Sequence, residues 1–175
     1  MHNLPVTNRL LLRPFIADDD AFIFRLLNTP SWLQFIGDRH ITDLPAARYY
    51  LQNGPLQSYR VHGFGPWMVV LKETGEPIGM CGFFQRPFLP APDAGLAFLP
   101  EYEGKGYASE ALKACMDYAF EFMDVPQVYA FTLPSNVRCT RLLENIGFRY
   151  QEMIRPPGET TALMLYLQQR PATEI

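Results

Sequence analysis

Gly104-Lys-Gly106 stands between an apolar run, Asp93-Ala-Gly-Leu-Ala-Phe-Leu99, and a segment of helix formers that opens Tyr107-Ala-Ser-Glu-Ala-Leu112. The two glycines carry no Cβ to keep an anion from the backbone. Consecutive N–H groups around them can turn toward one ligand, and a helix beginning directly after the loop aims the positive end of its dipole at the same spot. A strand, a glycine loop and a helix in this order make a seat for a diphosphate.

The spacing narrows which diphosphate. A dinucleotide fingerprint needs a third glycine, but Ser109 holds that position. Its acidic partner would be Asp124, which falls near the end of the helix and not on the following strand. A phosphate-binding loop of the Walker type is excluded because the chain has no Gly-Lys-Ser or Gly-Lys-Thr. Taken alone, a Gly-x-Gly pair is also compatible with a plain tight turn that binds nothing.

The elements that must hold this loop are legible from periodicity and punctuation. Arg9 to Pro14 reads as a short strand, and Asp18-Asp-Asp20 supplies cap and first-turn carboxylates for a helix that Thr29-Pro30 ends. Residues 32–36 and 45–51 read as two further helices, stopped by Gly37 and by Gly54-Pro55. The period then changes to two. Residues 67–72 and 77–84 predict a hairpin turning at Glu73-Thr-Gly-Glu76, and 93–99 a third strand. Ala108, Ala111, Leu112, Cys115, Met116, Ala119 and Phe120 form an apolar stripe at helical spacing. Gln127 to Thr132 is a strand, Asn136 to Ile146 a helix stopped by Gly147, and 148–154 with 161–167 a last antiparallel pair. The expected class is α/β of mixed α+β type. It is a single domain over residues 1–175, with a twisted, mostly antiparallel sheet of about six to seven strands and helices on both faces.

Composition bounds the function. With 175 residues, 48% hydrophobic and 19% charged, the chain reads as one soluble globular domain. A net charge of −3 and the lack of any basic run argue against nucleic-acid binding. No apolar stretch approaches the roughly 20 residues of a membrane span, and Met1-His-Asn-Leu-Pro5 carries no secretory signal. Three cysteines without C-x-x-C spacing fit a reducing cytoplasm, and three scattered histidines make no zinc site.

A second motif, Pro134-Ser-Asn-Val-Arg-Cys-Thr-Arg-Leu-Leu-Glu-Asn-Ile-Gly-Phe148, follows the loop by about thirty residues. With it the sequence resembles the GNAT superfamily of acyl-CoA-dependent N-acyltransferases, and most closely the branch of ribosomal-protein alanine acetyltransferases. Pro100-Glu-Tyr-Glu-Gly-Lys-Gly-Tyr-Ala-Ser-Glu-Ala111 matches that family's pyrophosphate loop. Asn136 with Arg141-Leu-Leu-Glu-Asn-Ile-Gly-Phe148 matches its second coenzyme-contacting segment. Thr7-Asn-Arg-Leu-Leu-Leu-Arg-Pro14 and Gly75-Glu-Pro-Ile-Gly-Met-Cys-Gly82 match as well, so the resemblance runs nearly end to end. Cys139 stands where the family often has serine, Arg138 where it often has a small residue, and Glu103 where it often has an aromatic one. The Glu103 side chain is expected to face water.

The resemblance implies direct acetyl transfer from acetyl-CoA to an amine, without a metal, in a monomer or homodimer. It places the coenzyme on Gly104, Lys105, Gly106, Tyr107, Ala108 and Ser109, on the strand residues Ala97, Phe98 and Leu99, and on Asn136. Lys105, Arg138 and Arg141 are the cations expected near its phosphates. A backbone N–H near Ala97 or Phe98 would receive the charge of the tetrahedral state. A splay between this strand and 127–132 would free such groups. Asp93 is the candidate general base, with an Asx turn as the structural alternative. Cys139, in the first helical turn where a dipole lowers a thiol's pKa, is either a proton donor to the leaving thiolate or a packing residue. Tyr107 and Tyr129 are alternative donors. The acceptor is expected across the sheet, near residues 32–39, His40 and 86–92, with Trp32, Phe35, Trp67, Phe84 and Phe88 as lining or as core. A non-catalytic coenzyme-binding module is the alternative function.

Overall fold

A computed structural model describes residues 3–173, so Met1 and His2 of the N-terminal reading lie outside the described residues. The first strand, β1 (Leu10–Arg13), is followed by α1 (Asp20–Leu27), α2 (Pro30–Phe35), α3 (Leu44–Asn53) and α4 (Pro55–His62). The antiparallel strands β2 (Pro66–Leu71), β3 (Pro77–Phe84) and β4 (Asp93–Phe98) come next. The chain closes with α5 (Tyr107–Phe122), β5 (Gln127–Thr132), α6 (Val137–Ile146), β6 (Arg149–Ile154) and β7 (Leu163–Gln169). The seven strands form one sheet in the order β1-β2-β3-β4-β5-β7-β6.

Helices cover both faces. Trp67 and Val69 of β2 pack toward Ala111, Leu112, Cys115 and Ala119 of α5, whereas Met68 between them packs toward Ile23, Leu26 and Leu51 of α1 and α3. This alternation is the pleat of a strand buried on both sides. Five of the seven stripe residues on α5 are buried.

Two boundaries differ from the sequence reading, for one physical reason. Thr29-Pro30 does not only end α1: Thr29 caps α2, its hydroxyl accepting from the Trp32 N–H at 3.4 Å, and Pro30 opens that helix. Gly54-Pro55 likewise starts α4, which the sequence reading left out. Proline lacks the N–H that a first helical turn leaves unpaired anyway, so the same residue that stops one helix suits the first position of the next.

The decisive irregularity lies at the centre of the sheet. β4 and β5 run parallel and pair at one position, Asp93 with Tyr129, where the Tyr129 N–H donates to Pro92 O at 2.9 Å. Every other neighbouring pair has at least four positions in register. The expected splay is present, and it widens from Asp93 toward Phe98.

Candidate active site

The glycine loop expected to seat a diphosphate follows the end of β4 remote from the Asp93–Tyr129 pairing. Gly104 (φ 74°) and Gly106 (φ 81°) both occupy the left-handed region, which a Cβ disfavours. Gly106 is the N-cap of α5, and the first intrahelical bond runs from the Glu110 N–H to Gly106 O at 3.1 Å. The N–H groups of Tyr107, Ala108 and Ser109 precede that bond and lack intrahelical acceptors, as in any first turn. They form the donor set that an anion needs.

The second motif closes on the first. Asn136 caps α6, its Oδ1 accepting from the Cys139 N–H at 3.3 Å. One turn on, Arg138 reaches back to Glu103 at 3.0 Å and comes within 3.9 Å of the point where a Gly104 Cβ would lie. Glu103 therefore faces a guanidinium and not only water, and it offsets the charge that Arg138 brings to the loop. Arg141 has no ion-pair partner among the described residues, and the Lys105 ammonium lies 5.8 Å from the centre of the Tyr102 ring.

Alternation assigns the backbone donors. The Leu99 N–H donates to Ile78 O on β3 at 2.9 Å, and Ala97 stands opposite Met80 in the same register, so its N–H also points toward β3. Both N–H groups are committed inside the sheet, so of the two donors expected, Ala97 and Phe98, the register leaves Phe98. Phe98 and Leu96 are the β4 residues whose N–H groups face the splay.

Asp93 lies at the vertex of the splay and is 2% exposed. Its Oδ1 accepts from Arg86 Nε at 3.0 Å. Burial pushes its carboxyl up to about 6, against the downward pull of Arg86. A carboxylate with that pKa is ionised at neutral pH yet accepts a proton more readily than an exposed one. Arg86 opens the segment 86–92 expected near the acceptor, but its pairing with Asp93 was not foreseen. Of the aromatic residues considered for the acceptor side, Trp32 and Trp67 are core. Phe84 lines a cavity of about 260 Å³ with Tyr50, Ser58 and Gln85, and Phe88 lines a groove of about 460 Å³ with Tyr129 and Leu165.

The acetyltransferase (GNAT) domain family matches residues 9–149. The chain belongs to the GNAT acetyltransferase family. A curated relative, the uncharacterized protein YkkB of Bacillus subtilis, is 31% identical, covering 86% of this chain and 87% of its own. A crystal structure of an acetyltransferase from Agrobacterium tumefaciens is 28% identical, with a TM-score of 0.79 over 97% of this chain and 96% of that one. RimL, a ribosomal L7/L12 α-N-protein acetyltransferase solved with coenzyme A, shares the fold at 19% identity, with a TM-score of 0.79 over 96% and 98% of the two chains.

Within this GNAT N-acetyltransferase, the N-terminal segment braces the diphosphate loop. Arg9 Nε donates to Glu110 Oε2 at 2.7 Å and Arg9 Nη1 to the Lys105 carbonyl at 2.9 Å, while its guanidinium lies 4.3 Å from the centre of the Tyr107 ring. Thr7 Oγ1 and the Arg9 N–H both donate to Glu110 Oε1, at 2.6 and 3.0 Å. The motif Thr7-Asn-Arg9 was noted in the sequence, but its partner Glu110 lies 101 residues from Arg9. Replacing Glu110 with Gln leaves the shape and removes the charge that holds Arg9. The expected result is an acetyl-CoA Kd raised about tenfold in a folded protein, the equivalent of one weakened charged hydrogen-bond set, measured by calorimetry.

Burial raises the Cys139 thiol pKa, and a hydrogen bond with Thr132 pulls in the other direction without prevailing. At neutral pH the group is a thiol, able to donate a proton and poorly suited to form an acetyl-cysteine. Cys139→Ala is expected to keep turnover within about tenfold of the parent, at the weak end of proton-transfer effects. Intact-mass measurement after mixing with acetyl-CoA alone should show no acetylated protein.

Proposed function

We propose that this enzyme transfers acetyl directly from acetyl-CoA to a primary amine, of a small molecule or a peptide N-terminus, with both substrates bound together. The observation that carries this reading is the single pairing of β4 with β5. It leaves a cleft with free N–H groups on Leu96 and Phe98, and the cleft runs from the diphosphate loop to Asp93. The pantetheine arm would lie in the cleft as a strand-like partner of β4. Gly104 to Ser109, Asn136 and one or two of Lys105, Arg138 and Arg141 would hold the rest of the coenzyme.

The chemistry balances with groups present in the chain. The neutral amine attacks the thioester carbonyl carbon, and its proton passes to Asp93, directly or through water. The Phe98 N–H receives the negative charge of the tetrahedral oxygen. The C–S bond then breaks, and the coenzyme thiolate takes a proton from Cys139, Tyr107, Tyr129 or water. The alternative of a non-catalytic coenzyme-binding module draws on Glu103 as an unfavourable charge and on Cys139 in place of serine. The Glu103–Arg138 pair offsets the first of these, and turnover on any amine decides against the second.

The test combines calorimetric titration of acetyl-CoA with free-thiol release over an amine panel, in the cytoplasmic pH range. Intersecting initial-velocity lines are expected for a ternary complex, whereas parallel lines mean a covalent acetyl-enzyme. Absence of acetyl-CoA binding, or binding without thiol release on any amine, overturns the reading.

A further inference from the structure

The charges around Asp93 carry information about the acceptor, given the reading of the cleft proposed above. Arg86 is fixed on three sides: its Nε bonds Asp93 at 3.0 Å, and its guanidinium lies 4.9 Å from the centre of the Phe84 ring and 5.1 Å from that of Phe131. Its two Nη groups have no hydrogen-bond partner among the described residues, and 34% of the side chain is exposed. A guanidinium held along its inner edge with four N–H donors unused is preorganised for a planar anion.

A second cation is unpaired: Arg39, exposed in the segment between α2 and α3, has no ion pair among the described residues. Arg13, Arg25 and Arg48 are neutralised, by Asp19, by Glu101, and by Asp18 and Asp20, whereas Arg60 on α4 donates only to the Gln52 carbonyl, at 3.5 Å. The acids nearest Arg39 in the chain are engaged elsewhere, Asp38 with His40 and Asp43 with the Ala46 N–H that it caps. Both Arg39 and Arg86 act electrostatically on the Tyr50 phenol, whose pKa burial raises and the two cations pull back. Tyr50 lines a cavity of about 260 Å³ together with Gln85 and Phe84, the residue whose ring carries the Arg86 guanidinium.

We propose that the acceptor amine carries a carboxylate, bound by the free edge of Arg86 with Arg39 and the Tyr50 hydroxyl beside it. Asp93 and Arg86 touch, so an amine delivered to Asp93 sets a carboxylate two or three bonds away against the guanidinium. An α-amino acid has that separation; an N-terminal peptide segment brings an acidic side chain to the same place only by folding back through a longer chain of bonds. The coenzyme's diphosphate is not the anion in question, because its loop follows the opposite end of β4, about 16 Å along the strand. A polyamine would bring a second cation against two guanidinium groups, a like-charge contact that disfavours it.

The experiment measures kcat/KM for matched acceptors: L-amino acids against their carboxamides, short peptides with Glu or Gln as second residue, and a linear triamine. The expected result is a preference of about tenfold or more for the carboxylate member of at least one kind of pair, the scale of a charged bidentate contact. Preference confined to free amino acids or to acidic peptides identifies the source of the carboxylate. Arg39→Gln, and separately Tyr50→Phe, should reduce that preference by about threefold or more while the carboxamide rate stays unchanged. Ratios near one for every pair, a triamine that outperforms all carboxylates, or a preference untouched by both variants would each overturn the proposal. Turnover on the carboxamides shows that the transferase reading holds whichever way the ratios fall.

Discussion

Asp93→Asn is expected to lower kcat by roughly 10²–10⁴-fold, the usual worth of a positioned general base, while acetyl-CoA affinity barely moves. The carboxylate sits at the vertex of the splay, at the other end of β4 from the diphosphate loop. The wild-type rate should fall as pH drops through about 6, where burial places the protonation of Asp93. The variant should regain part of its activity at high pH, where more of the acceptor amine is already neutral. Stability separates this role from a structural one. Burial raises the folded-state pKa from 3.8 to about 6, so the group's contribution is fully present below about pH 4 and is lost as pH rises through 6. Ionised Asp93 thus costs the fold on the order of 3 kcal/mol at neutral pH. Asparagine carries no such cost, so the melting temperature of the variant at pH 8 should equal or exceed that of the parent. A lower melting temperature with no pH rescue would remove Asp93 from the mechanism and leave it as scaffold.

Gly104→Val should remove measurable acetyl-CoA binding while the protein stays folded. At φ 74° the residue occupies a region that a branched side chain avoids, at a cost of about 1–3 kcal/mol. Only Arg138 Nη2, at 3.9 Å, lies near the added Cβ, so the fold itself has room. What changes is the approach of the phosphates, and with it the Arg138–Glu103 pair that spans the loop. Calorimetry on the folded variant, checked by circular dichroism, decides the matter: unchanged affinity would mean that the phosphates sit elsewhere.

What the sequence disclosed, and what it hid, follows from how local each cause is. The loop and both flanking helices were legible because glycine, an Asn cap and a 3.6-residue stripe act within a few residues of themselves. β3 and β5 have the bounds that alternation predicts. The Arg86–Asp93 contact was hidden although the two residues are seven apart, because it depends on how the proline-rich excursion 86–92 folds back. Glu110 was hidden because its partners Thr7 and Arg9 lie just before β1, far off in sequence. A dipole can be read from position in a helix, whereas the burial that raises the Cys139 thiol depends on elements that pack later. Between Ala97 and Phe98 as amide donors the sequence could not choose, because the side of the strand taken by each N–H depends on register with β3, which no single strand contains.

The one-position junction between β4 and β5 also divides the sheet mechanically. β1 to β4 form one hydrogen-bonded half and β5, β7 and β6 the other. Their cores are shared, since α5 packs on β3 and β4, α6 packs on β5, and the two helices touch, but the backbone ladder is interrupted between the halves. The strand-like arm proposed for the gap would supply the missing rungs as an eighth, exchangeable strand, and its departure after each turnover would reopen the seam. Saturation at a hundred times Kd would add about 2.7 kcal/mol to global stability. Amide protons of β4 and β5 should gain the largest share of hydrogen-exchange protection, and strands β1 and β6 at the outer edges the least.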